Sequence, residues 1–277
     1  AVLGGAMFGD NLSIISDTTI AATRSQGAEM RDKFRENFKI AMPAGIATIV
    51  LLGVLGDAAP VAAPDAASPW LVLPYLVVLG LALAGLDVVL VLGIGLVVSG
   101  VFGLVLAQDY DVVSFAGDIY LGFESMVEIT LLSILIGGLA ALIKAAGGLD
   151  WLAQVIATFA RGRTGRRSGE ISIAALAAGS DALTANNTVA ILVTGSLARD
   201  IAQRHGISPR RAASVLDIFA CVVQGVLPYG AQILLAASLA AVSPLALAGS
   251  VQYCWLLAVS ALAFMLWPSR RKVPAAE

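Results

Sequence analysis

Long apolar stretches alternate with short polar ones along the chain, and their lengths predict helices. Apolar runs cover 40–56, 71–86, 88–107, 126–145, 171–198, 213–242 and 249–267. Several approach the ~20 residues that a membrane-spanning helix needs. The pattern predicts an all-α polytopic membrane protein. Three polar clusters break it: GDNLSIISDTT at 9–19, SDALTANNT at 180–188 and QGVLPYGAQ at 224–232.

The positive charges order the runs. They fall in four groups: Arg24, Arg31, Lys33, Arg35 and Lys39; Lys144, Arg161, Arg163, Arg166 and Arg167; Arg199, Arg204, Arg210 and Arg211; and Arg270, Arg271 and Lys272. Excess Lys and Arg mark cytoplasmic connections, so all four are expected inside. The connections 57–69, 107–124 and 243–248 lack positive charge and are expected outside. Stretch 147–163 reads as an amphipathic helix at the inner interface.

Run 171–198 breaks the alternation, because both flanks are basic. Its 28 residues are too few for two full crossings, and its centre is rich in turn formers. A re-entrant hairpin over 171–198 that opens to the cytoplasm satisfies both facts; the alternative is a long kinked helix with one flank misassigned. Run 213–242 is a broken helix interrupted around Pro228, which lacks a backbone donor. Stretch 1–20 is the end of another, running the opposite way. Two interrupted helices of opposite direction are the pattern of an inverted-repeat transporter. The chain opens within an apolar segment, AVLGGAMFGD, so it is expected to be the later part of a longer protein.

Composition agrees with a lipid setting: 58% of residues are hydrophobic and 13% charged, about half the charge of a soluble domain. An aspartate at a helix centre costs about 2.5–3.5 kcal/mol on insertion scales, so membrane chains seldom carry one without use. The three clusters supply Asp10, Asn11, Ser13, Ser16, Asp17, Thr18 and Thr19; Asp181, Thr184, Asn186, Asn187 and Thr188; and Gln224, Tyr229 and Gln232. Carboxylate, hydroxyl and amide oxygens suit a hard cation such as Na+ rather than a transition metal. Capping would explain Ser16 or Asp17, and a turn would explain the Asn and Asp residues of SDALTANNT, but neither explains two carboxylates seven residues apart in the first cluster. Glu124, Glu128 and Asp217 are expected at the interface. Cys221 and Cys254 read as small buried hydrophobes and His205 as a solvated loop residue.

FGDNLSIISDTT resembles the GD-x-x-SP-x-SDTT signature of NhaC-type sodium/proton antiporters. ANNTVAILVTGSLARDIA and LDIFACVVQGVLPYGAQILLAAS are similar to the C-terminal half of that family. Ile14 stands where the family usually has Pro. The resemblance implies a secondary antiporter exchanging Na+ for H+ across the bacterial inner membrane, not an enzyme, with no cofactor beyond the transported ions. It makes Asp10, Asp17 and Asn187 the Na+ candidates, with a homodimer in the bilayer and no nucleic-acid partner expected. The alternative is a Na+-coupled carrier of an organic acid or amino acid. No arginine at predicted membrane depth is available to hold a dicarboxylate.

Overall fold

The computed structural model describes residues 1–13, 16–56, 69–84, 86–106, 110–160 and 165–266. All regular structure among them is helical. In order these are α1 (Val2–Leu12), α2 (Asp17–Gln26), α3 (Met30–Leu55), a 3-10 turn (Pro69–Val72), α4 (Leu73–Leu83), α5 (Val88–Leu106), α6 (Val112–Ala145), α7 (Gly148–Ala160), α8 (Arg166–Thr184), α9 (Asn187–Arg204), α10 (Pro209–Gln224), α11 (Ala231–Ala240), α12 (Pro244–Ser250) and α13 (Gln252–Leu266). Ile14, the expected outer loop 57–68, Arg161, Arg163 and the basic tail lie outside the described residues. The chain divides into two compact units, 57–128 and the remainder.

In the larger unit α10 is the central helix, buried throughout from Arg211 to Val222. Against it pack α8, α9, α2, α13, α3 and α1. Small residues set the spacing. A Cβ on Gly195 would lie 2.5 Å from Ser25 Cβ, so α2 and α9 approach closely only because Gly195 has none. Gly225, where α10 ends, touches Cys254 of α13 in the same way.

Three basic groups meet at one end of this unit. Arg199 donates to the Arg24 carbonyl at 3.2 Å, and His205 Nδ1 lies 3.0 Å from the Gly165 carbonyl. Arg167 donates to the Leu266 carbonyl at 2.8 Å. His205 is therefore half-buried and engaged, not simply solvated.

The hairpin arms are longer than the apolar run. The α8 and α9 helices have 19 and 18 residues, about 28 and 27 Å of helix. They recruit residues 166–170 and 199–204, whose polarity hides them from a hydropathy reading. The turn between them lies at Ala185 (φ 49°) and Asn186.

In the smaller unit α5 is apolar on every side, and Val89, Leu92, Val97 and Val105 are exposed. A helix hydrophobic all round needs a core or a membrane around it. Among the described residues three helices are long and apolar enough to cross one: Met30–Val54, Val89–Leu106 and Val112–Ala145. The bent pair α11 and α12, at 105°, would add a fourth.

Two expected connections are helical. Residues 112–124, read as part of an acidic loop, form the start of α6; the Asp111 carboxylate accepts from Ser114 N at 2.8 Å and so caps it. The segment 30–39, read as a basic cytoplasmic connection, is the first part of α3.

Candidate ion-binding site

The first break is built by its own side chains. The helix α1 stops at Leu12, with Ser13 extended, and α2 restarts at Asp17 with Ser16 as N-cap, its hydroxyl accepting from Thr19 N at 3.3 Å. Thr19 Oγ1 is fully used. It donates to the Ser13 carbonyl at 2.9 Å and accepts from Ser16 at 3.0 Å and from Lys33 Nζ at 2.6 Å.

That ammonium belongs to the most buried ion pair among the described residues. Lys33 Nζ lies 2.7 Å from Asp217 Oδ2, and both side chains are fully buried. Asn37, one turn after Lys33, donates at 2.8 Å to the same Oδ2 and at 2.8 Å to the Asn11 carbonyl. Lys33 and Asn37 share a stripe with Ile40, Ala41 and Ala44, all buried and spaced as one helix face. Asp217 is therefore a core residue, not the interfacial one expected.

Asp10 stands beside this pair, within reach of the Ser16 hydroxyl and with two longer contacts. Cys221, one turn after Asp217, presents its thiol 3.4 Å from Asp10 Oδ2, and the Thr18 hydroxyl is 3.5 Å from Oδ1. Three buried acceptors close by have no partner at all: Asp217 Oδ1, Asn11 Oδ1 and Asn37 Oδ1. Buried acceptors are nearly always satisfied, so a group of unsatisfied ones asks for a ligand.

The second polar region joins the α8–α9 turn to the break after α10. Asn186 caps α9, accepting from Val189 N at 2.9 Å. Thr184 donates to the Ser180 carbonyl at 2.8 Å, and Asn187 accepts from Thr188 N at 2.9 Å. Gln224 and Gln232 bond each other across the break at 2.5 Å, and Tyr229 donates to the Ala182 carbonyl at 2.5 Å. The Asn187 amide reaches Cys221 Sγ at 3.8 Å. Cys221 thus touches both regions.

Asp17 is not brought into either region; it is exposed at the start of α2. The residues that sequence reasoning missed are Lys33, Asn37, Asp217 and Cys221. A signal existed for each. Lys33/Asn37 and Asp217/Cys221 are both spaced four apart, on one helix face.

A sequence profile that covers most of the chain decides what this arrangement belongs to. That of the Na+/H+ antiporter family matches residues 58–267. The chain belongs to the Na+/H+ antiporter family. It is a cation/proton antiporter and a multi-pass membrane protein rather than an enzyme. The matched span of this Na+/H+ antiporter includes Asp181, Asn187, Asp217, Cys221 and Gln232 and begins after Asp10, Lys33 and Asn37. No curated protein and no solved structure matches the chain.

Proposed function

We propose that the chain exchanges Na+ for protons as an NhaC-type antiporter, and that exchange occurs where the first broken helix meets α3 and α10. The observation that carries this reading is the group of unpaired buried oxygens on Asp217, Asn11 and Asn37, next to Asp10. The charge balance fits a monovalent ion. Lys33 neutralises Asp217, which leaves Asp10 as the one uncompensated charge of the centre. One Na+ or one proton restores neutrality, and both compete for the same carboxylate. Ser16, Thr18 and Thr19 fix the geometry of the break, and Asn187 approaches from the hairpin turn through Cys221.

On this reading α1/α2 and α10/α11 are the paired interrupted helices of an inverted repeat. The α8–α9 pair is a re-entrant hairpin open to the cytoplasm. The protein sits in the bacterial inner membrane as a homodimer, and its ligands are the transported ions, with no resident cofactor. The motif FGDNLSIISDTT supports the NhaC-type assignment. Arg211 is buried, but Glu170 holds its guanidinium with both carboxylate oxygens, at 3.1 and 3.0 Å. Its Nε and Nη2 are therefore committed within the protein, while Nη1 is buried without a partner.

The test is proton flux in proteoliposomes on adding Na+, with and without amino acids. Na+ alone should drive proton movement, and Asp10→Asn should remove it. Competition for one carboxylate predicts that apparent Na+ affinity falls about tenfold for each unit that pH drops below the point at which that carboxylate takes up its proton. Flux that requires an amino acid would replace this reading with the Na+-coupled carrier.

A further inference from the structure

A second buried carboxylate lies outside the centre just described. Asp181 is completely buried one turn before the end of α8, and neither of its oxygens has a hydrogen-bond partner; nor does the neighbouring Ser180 hydroxyl. Its situation is the reverse of Asp217, which has an ammonium at 2.7 Å.

The charged and titratable groups on the elements around it are all engaged elsewhere or distant. On α7, Asp150 is exposed; on α9, Arg199, Asp200 and Arg204 are exposed, in its final two turns. On α10, Arg210 pairs with Glu36, Arg211 with Glu170 and Asp217 with Lys33, while Cys221 faces Asp10 and Asn187. On α13, Cys254 packs at Gly225 and Tyr253 against Phe8. Only Tyr229 comes close, and its hydroxyl is spent on the Ala182 carbonyl.

An isolated ionised carboxylate in such a place costs several kcal/mol even after relaxation, whereas the neutral acid costs no more than an unmade hydrogen bond. Asp181 therefore holds a proton in the conformation described. Tyr229, bonded to the next residue's carbonyl, is partly exposed and stands on the irregular segment between α10 and α11, so that segment borders both the acid's helix and solvent.

Resting on the exchange centre proposed above, we propose that Asp181 is a second proton carrier, loaded in this conformation and discharged in the opposite-facing one. One cycle then carries one Na+ in one direction and two protons in the other. One proton travels on Asp10, exchanged for Na+, and one on Asp181, exchanged for nothing. Each cycle moves one net positive charge.

The test is the gradient at which flux stops, read on the full chain in proteoliposomes with the membrane potential clamped to zero. With two protons per Na+, a tenfold Na+ gradient balances about half a pH unit; with one, about a whole unit, since each tenfold ratio carries the same free energy. The wild type should balance at the half unit. Asp181→Asn and Asp181→Ser are both neutral, and whichever inserts should still exchange but balance at the whole unit. A wild type that balances at the whole unit overturns the proposal. So does an inserted variant that keeps the half unit, or one that has lost exchange altogether. Failure of the underlying centre is a separate result: no Na+-driven proton movement in the wild type, or undiminished exchange in Asp10→Asn.

Discussion

Two buried ion pairs among the described residues have opposite designs. At Arg211 and Glu170 the guanidinium takes both carboxylate oxygens, at 3.1 and 3.0 Å; Arg166 adds a third contact at 2.7 Å, and the Phe264 ring covers the cation at 4.5 Å. Both oxygens of that carboxylate are spent. At Lys33 and Asp217 the ammonium and an amide crowd onto one oxygen and leave the other bare. An arginine fork matches a carboxylate edge to edge, while an ammonium is a point charge that leaves room for another ligand. The closed pair pins α8 to α10. On the proposed reading, the open pair is where the ion enters.

Four substitutions would sharpen or break this contrast. Glu170→Gln leaves Arg211 buried without its counter-charge and should cost about 3–5 kcal/mol of stability, read by thermal or denaturant unfolding. Exchange per folded molecule should stay within about twofold, as for a purely structural pair. Asp217→Asn should lower exchange per folded molecule by about a hundredfold or more, because it strips a charge that a buried site in a membrane keeps only for use. Lys33→Arg turns the open pair into the closed type. It should preserve folding yet cut exchange about tenfold, since the fork occupies the spare oxygen; undiminished exchange would show that Asp217 Oδ1 has no part in ion binding. Asp17→Asn should be the mildest, about 0.5 kcal/mol or less in stability and little change in flux, because the side chain is exposed.

The breaks in the helices were legible because their signals are local. Ser16 at an N-cap, Asn186 before α9 and Pro228 between α10 and α11 each act on their own backbone. The open pair was not. Lys33 falls in a basic cluster, and charge counting assigned the whole cluster to a cytoplasmic connection; only the packing of α10 against α3 separates Lys33, which is buried, from Arg31 and Arg35, which are not. The acidic stretch before residue 126 failed for a related reason. Asp118 and Glu124 lie on an exposed helix, and hydropathy cannot distinguish an exposed helix from a loop. The aspartates singled out from their motif then differ in setting: Asp10 is half-buried and touches Cys221 of α10, and Asp17 is exposed.

Cys221 turns the centre of this molecule into a clock. Its sulfur is wholly buried between Asp10 and Asn187, so an alkylating reagent can reach it only while the helices around α10 stand apart. In a chain with Cys254 replaced, the speed of alkylation reports how often that parting occurs, in the same sense that amide exchange reports transient opening of a fold. Ions that close the centre should slow the clock, and a pH or Na+ concentration that sets the cycle running should quicken it. The interval between openings can be timed with no ion crossing the membrane.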